Sequence, residues 1–154
     1  MEILPGIGIG LIKYGIDEQA LISILGQPNH IDEREYTQGT GDWYRDLWYS
    51  SKHLEFTFNK EDDFRLSLIT VTGSGYSLLG RVLFGLPLEQ VRELIVNATQ
   101  EEATFQDYSY SPDETHHCLD HDGLGILFWF DADQLSEMQC GYLFESDNET
   151  VVWP

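Results

Sequence analysis

The chain has 154 residues, of which 42% are hydrophobic and 13% aromatic, enough to build one globular core without disulfides or metal. Its formal net charge of -19 excludes a groove that tracks nucleic-acid phosphates and a membrane-surface patch, and it points to basic proteins as partners. The acids are unevenly placed: residues 1–92 carry 13 acids against all 8 Lys and Arg, whereas residues 93–154 carry 14 acids and no base.

The first residues, Met1-Glu2-Ile3-Leu4-Pro5, show no basic stretch ahead of an apolar run, and no segment reaches 18 uninterrupted apolar residues. Neither a secretory signal nor a membrane span is expected. Cys118 and Cys140, set apart and in no paired motif, suit reduced thiols in a cytoplasmic protein. Residues 3–12 alternate apolar side chains with glycine, which fits an opening strand or a close approach of backbones. Their Gly-x-Gly-x-Gly spacing lacks the Lys-Ser/Thr start of a phosphate-binding helix.

A first helix is expected from Asp17 to Leu25. Asp17 can cap it, Ile16, Leu21, Ile24 and Leu25 recur on one side, and Gly26 and Pro28 stop it. The polar, aromatic passage 42–49 contains Trp43, Tyr44 and Trp48. A hairpin follows, with Leu54, Phe56 and Phe58 alternating against Glu55 and Thr57, a turn over Asn59 to Asp63, and a return over Phe64 to Val71. Gly73-Ser74-Gly75 and the residues to Gly80 read as a link. A second helix is expected from Pro87 to Val96, ended by Asn97. The passage 103–110 resembles 42–49 and holds Asp107, Tyr108 and Tyr110. A second hairpin runs from Ile126 to Phe130, turns over Asp131 to Gln134 and returns over Leu135 to Phe144. Residues 145–150 read as a turn or fraying tail.

The second series repeats the first. Gly15 to Leu25 reappears as Gly85 to Ile95, and Leu54-Glu55-Phe56-Thr57-Phe58-Asn59 reappears as Ile126-Leu127-Phe128-Trp129-Phe130-Asp131, offset by about 72 residues. The expectation is a single α+β domain over 1–154. It is built of two tandem helix-strand-strand-strand repeats, about 11–72 and 81–144. Period-2 alternation then puts Glu55, Thr57, Leu127 and Trp129 on the face that the helices leave open. On the 72-residue offset Cys140 falls at the place of Leu68, as a small core hydrophobe.

Three imidazoles, a thiol and two carboxylates crowd into His116-His117-Cys118-Leu119-Asp120-His121-Asp122. Such donors suit zinc or nickel, but the spacing matches no closed metal site, and Asp120 to Gly123 reads as a turn that separates them. A solvated loop is the favoured reading, and neither metal nor cofactor is expected. The carboxylate pairs Glu101-Glu102, Asp113-Glu114 and Asp120-Asp122 are what chance supplies in so acidic a chain. No Gly-x-Ser-x-Gly nucleophile turn occurs.

The stretch Gly15-x-x-x-x-x-Leu21-x-x-Ile24-Leu25-Gly26-x-Pro28, followed by aromatic strands, resembles the helix-plus-strands unit of the beta-lactamase inhibitor protein superfamily, and the doubling resembles its two-copy form. In the second unit Val96-Asn97-Ala98-Thr99 replaces the Gly and Pro. The resemblance implies that the two repeats form one continuous antiparallel sheet, with both helices on one face and a concave, aromatic-bearing face on the other. Small acidic proteins of this kind also look like bacterial immunity proteins, which cover the active site of a toxin enzyme. The expected function is therefore non-enzymatic inhibition of a basic partner such as a nuclease toxin. The expected anchors are Trp129, Trp43, Tyr44, Trp48, Tyr108 and Tyr110, and the steering charges are Glu101, Glu102, Asp107, Asp113, Glu114, Asp120 and Asp122. The alternatives are a structural or adaptor module whose acidity serves solubility, and a metal-binding enzyme using the histidine segment. The partner's identity and the oligomeric state are left open by the sequence.

Overall fold

The computed structural model describes residues 1–107, 116–147 and 149–154, and the side chains of all of these except 104–107. The chain opens with three short strands, β1 (Glu2–Leu4), β2 (Gly8–Ile9) and β3 (Ile12–Lys13), followed by helix α1 (Glu18–Leu25). Strands β4 (His30–Glu35), β5 (Trp43–Tyr49), β6 (Leu54–Asn59) and β7 (Arg65–Val71) come next, then the short β8 (Ser77–Leu78) and helix α2 (Leu88–Thr99). Strands β9 (Thr104–Asp107), β10 (His116–His121), β11 (Ile126–Asp131) and β12 (Gln134–Gly141) complete the main sheet. The pair β13 (Leu143–Phe144) and β14 (Val151–Val152) ends the chain.

Among the described residues the fold is α+β, dominated by an eight-stranded antiparallel sheet in the order β4-β5-β6-β7-β12-β11-β10-β9. The central pair is β7 with β12, in which Thr70 faces Gln139 while Val71 faces Met138 and Ile69 faces Cys140. A second sheet, β3-β2-β1-β8, gathers the start of the chain and the segment between the two hairpins. Gly8 has a positive φ, and a Cβ there would stand 2.0 Å from the Ile12 carbonyl oxygen, so the glycine alternation serves close backbone approach. Residues 73–80 are thus more than a link: Ser77 and Leu78 pair parallel with Glu2 and Ile3.

Helix α1 starts where Asp17 accepts a hydrogen bond from the Ala20 amide at 2.8 Å and ends at Gly26, whose φ of 82° no L residue adopts readily. Helix α2 follows Pro87, and Asp133 at the tip of the β11–β12 hairpin accepts from the Leu88 amide. It runs three residues beyond the expected Val96. Asn97 remains helical and Gln100 takes the left-handed terminal position, because Ile95 is buried in the core and holds the last turns.

Each half of the main sheet carries four strands after its helix, one more than expected. The additional strands are β4, whose sequence His-Ile-Asp-Glu-Arg-Glu lacks apolar alternation, and the histidine-bearing β10, expected as a loop. Both halves are built with the same local devices. A 3-10 turn, Ser50–Lys52 or Asp122–Leu124, ends in a left-handed residue, His53 or Gly125, before β6 or β11. The Gly15 amide donates to Leu66 and the Leu66 amide to Ile16; Gly85 and Leu86 make the same exchange with Leu135. A bulge interrupts each hairpin, and Ser67 and Ser136 donate from the bulged strands to the carbonyls of Thr57 and Trp129.

The bulges decide what enters the core. Without the extra residue Leu66 and Leu135 would face away from the helices; with it Leu66 joins Ile69, and Leu135 joins Met138, on the buried side. The second hairpin turns over Ala132 and Asp133 alone, both at positive φ, and so returns sooner than the first. The offset in the returning strand is therefore shorter than 72. Cys140 matches Val71 instead of Leu68 and is buried opposite Ile69, which pushes its thiol up to about 12. The return ends at Gly141; Leu143 and Phe144 leave the main sheet to pair with Val152 and Val151. The terminal segment is thereby tied down, with the Trp153 ring packed over Gly15 and against Tyr142.

Candidate functional site

Strand pairing sorts every side chain of the main sheet onto one of two faces. Leu47, Phe56, Ile69, Met138, Phe128 and Leu119 are buried on one side, in a single core cluster with Leu21 of α1 and Leu88, Val91 and Ile95 of α2. Contacts from the helices land on this side: Glu18 pairs with Arg45 at 2.9 Å, the Gly26 carbonyl accepts from the Tyr49 hydroxyl, and Thr99 lies 3.4 Å from His121. The opposite face receives neither helix. It is the candidate site.

Across that face run Asp32 and Arg34 of β4, Tyr44, Asp46 and Trp48 of β5, Glu55 and Thr57 of β6, Thr70 of β7, Glu137 and Gln139 of β12, Leu127, Trp129 and Asp131 of β11, and His116, Cys118 and Asp120 of β10. Alternation on both sides of Phe56 and Phe128 produces this set, since whatever interleaves with core residues must point the other way. The face is rich in carboxylates. Asp46 accepts a 2.6 Å hydrogen bond from the Thr57 hydroxyl, and burial raises its carboxyl above the ordinary value. Glu55 is pushed up to about 7 by burial first and by the neighbouring Asp46 second. Beside Glu55, Trp48 and Thr70 line a hollow of about 240 Å³ that also touches His53.

The expected anchors do not form one surface. Tyr44 and Trp48 lie on the open face, but Trp43 is one residue out of phase with Tyr44 and belongs to the helix side of the sheet edge. Trp48 is 38% exposed, while the Tyr44 ring is occupied by Tyr36 at 4.3 Å and by the Arg34 guanidinium at 5.4 Å. Trp129 is on the open face as alternation requires. It is half-buried, with its indole stacked on the His116 ring at 4.9 Å. Tyr108, Tyr110, Asp113 and Glu114 lie outside the described residues. Asp107 is in β9, and its side chain is also outside them.

Among the steering charges, Glu102 is held by Arg92, whereas Glu101 lies against Gly123, beside Asp122 in the second 3-10 turn. Asp120 stands on the open face next to that turn. The histidine segment is a strand, which splits its donors: His116, Cys118 and Asp120 point to the open face, and His117 and His121 to the helix side. Among the described residues no group of three His, Cys, Asp or Glu is placed to hold a metal ion. His116 bonds Asp131 at 2.6 Å, and Asp131 also accepts from Ser136 at 2.7 Å, which together hold its carboxyl below the ordinary value.

Reading from residue types missed Asp32, Asp46, Glu55, Glu137 and Asp131. The signal for Glu55 was the alternation itself, because it sits between the buried Leu54 and Phe56, whereas Asp46 follows the partly exposed Arg45 and had no such signal. No family model, no curated protein and no solved structure matches this chain. No helix among the described residues is long and apolar enough to cross a membrane.

Proposed function

We propose that the protein is a non-enzymatic inhibitor that seats a basic protein on the open face of its large sheet, acting in the cytoplasm as an immunity protein against a toxin enzyme such as a nuclease. The observation that carries this reading is the composition of that face: Asp32, Glu55, Glu137, Asp120 and Asp131 interleave with Trp48, Leu127 and Trp129 and receive neither helix. Carboxylates in such an array can stand in for substrate phosphates in a basic cleft, and the aromatic and apolar side chains provide desolvated contact. The paired devices of the two halves, from the 3-10 turns to the bulge serines, support descent from one duplicated unit, of the kind seen in the two-copy beta-lactamase inhibitor proteins.

The test starts from the neighbouring reading frames, one of which is expected to encode a basic toxin enzyme; that enzyme is then assayed with this protein, and its absence counts against the proposal. Stoichiometric loss of that enzyme's activity is expected, with an association rate that falls at least about tenfold between low and high salt. Asp32→Lys with Glu137→Lys should slow association without unfolding the protein, since neither carboxylate is fully buried. Uninhibited enzyme, or association indifferent to salt, would refute the proposal.

A further inference from the structure

Where the chain leaves the main sheet into β13, Tyr142, Leu143 and Phe144 pass beside the start of β11 and border a half-open cavity of about 570 Å³, which Asp120 and Leu127 of the open face also line. Gly125 makes this close passage possible: a Cβ there would meet the Leu143 side chain at 3.0 Å and the Gly141 carbonyl at 3.2 Å. Leu127, Tyr142, Leu143 and Phe144 give the cavity apolar lining, with the Tyr142 and Phe144 rings edge to face at 5.3 Å. Asp120, paired directly with Leu127 across the strands, and Asp122 add two carboxylates to that lining.

Among the described residues neither carboxylate pairs with a Lys or Arg, and the nearby group that favours the Asp120 charge is His121. The last Lys or Arg of the sequence is Arg92, and its guanidinium is held by Glu102; no ion pair among the described residues engages Asp120 or Asp122. Burial, with Asp122 beside it, raises the Asp120 carboxyl above its ordinary value, so an incoming positive charge would relieve an existing cost. A long apolar stem that ends in a flat, permanently charged head matches both kinds of lining at once. Its methylenes and planar face suit Leu127 and Phe144, and its N–H fork suits two carboxylates.

We propose that this cavity seats an arginine side chain presented by the partner protein. The inference rests on the inhibitor reading, and it names the partner residue that the C-terminal half would grip. A protein-borne arginine is favoured over the free amino acid, because no residue lining the cavity carries a positive charge to receive an α-carboxylate.

The test titrates the whole protein with N-acetylarginine amide while the Gly123 and Gly125 amide and Phe144 ring resonances are followed. N-acetylcitrulline amide, the neutral isostere, and free arginine serve as comparisons. Saturable shifts at those three residues are expected with the blocked arginine and not with citrulline. Asp120→Asn with Asp122→Asn should weaken binding by about tenfold or more, and Phe144→Ala, at a site 49% exposed, by about threefold. Equal binding of the citrulline probe, an unchanged affinity in the double variant, shifts confined to another surface, or free arginine binding about tenfold tighter than the blocked form would each overturn the assignment. Such a failure leaves the inhibitor reading to its own enzyme assay, which does not depend on this probe.

Discussion

In the N-terminal half two arginines of the sheet pair with carboxylates: Arg45 reaches Glu18 of α1 at 2.9 Å and Glu33 at 3.0 Å, and Arg34 reaches Asp32 at 3.1 Å. In the C-terminal half the sheet has no such cation, and Asp131 is met by His116 and the Ser136 hydroxyl instead. Yet the 3-10 turn ahead of the hairpin, the backbone exchange and the bulge occur in both, although the hairpin turns differ. The difference teaches that surface ion pairs do not hold this architecture. Pairs at this exposure contribute at most about 1 kcal/mol each, so the common frame rests on the buried side chains and the bulges that aim them. The surface of the second half is thereby free to keep its charge unopposed.

The strongest way to break that comparison is to empty the two matched core positions. Phe56 and Phe128 are both fully buried, so Phe56→Ala and Phe128→Ala should each cost about 3–5 kcal/mol in urea unfolding. If one half tolerates the change with a loss below about 1 kcal/mol, the two halves do not share the core equally. The next largest contrast is at the left-handed residues. Gly125→Ala forces a Cβ into a backbone at φ 63° and against Leu143, and should cost about 1–2 kcal/mol or more. His53 holds the corresponding place at φ 54° with a side chain, so His53→Gly should be neutral or stabilise by up to about 1 kcal/mol. Like signs from the two substitutions would show that the turns are not equivalent in strain.

Much of the frame could be read in advance because its signals are local. Asp17 and Gly26 bracket α1, and the alternation of Leu54, Phe56 and Phe58 against that of Ile126, Phe128 and Phe130 locates both central hairpins and assigns their faces. The edge strand β4 was illegible because an edge with exposed sides needs no apolar period; its charges instead protect it from pairing with another chain. Strand β10 was hidden for a different reason: imidazoles, a thiol and carboxylates resemble a loop, while the pairing of Leu119 with Phe128 that makes them a strand lies in another segment. The bulges left a trace in the spacing of three between Leu66 and Ile69 and between Leu135 and Met138, which a strict period of two misreads. At the site, Trp43 and Tyr44 are neighbours in sequence and opposites in space. The face could be inferred from the core residues that flank it, not from which side chains seem suited to binding.

The smallest expected effect separates the halves by pH. Glu55 and Leu127 occupy the same place in β6 and β11, on the open face, so one half carries a titrating group where the other carries none. The groups that bear on Glu55 are Asp46 and Glu137, which disfavour its charge, and Arg34, which favours it. Its carboxyl is raised from the ordinary 4.5 to about 7, so the native state binds that proton more tightly than the unfolded chain does. The stabilisation is therefore complete below pH about 4.5 and is lost as pH rises through about 7. Because Glu55 is half-exposed, solvent screening reduces the loss to no more than about 1 kcal/mol. Glu55→Gln should flatten the stability profile over this window, whereas Leu127→Gln should leave its slope unchanged. A slope that survives Glu55→Gln would assign the titration to Asp46 and remove the asymmetry between the halves.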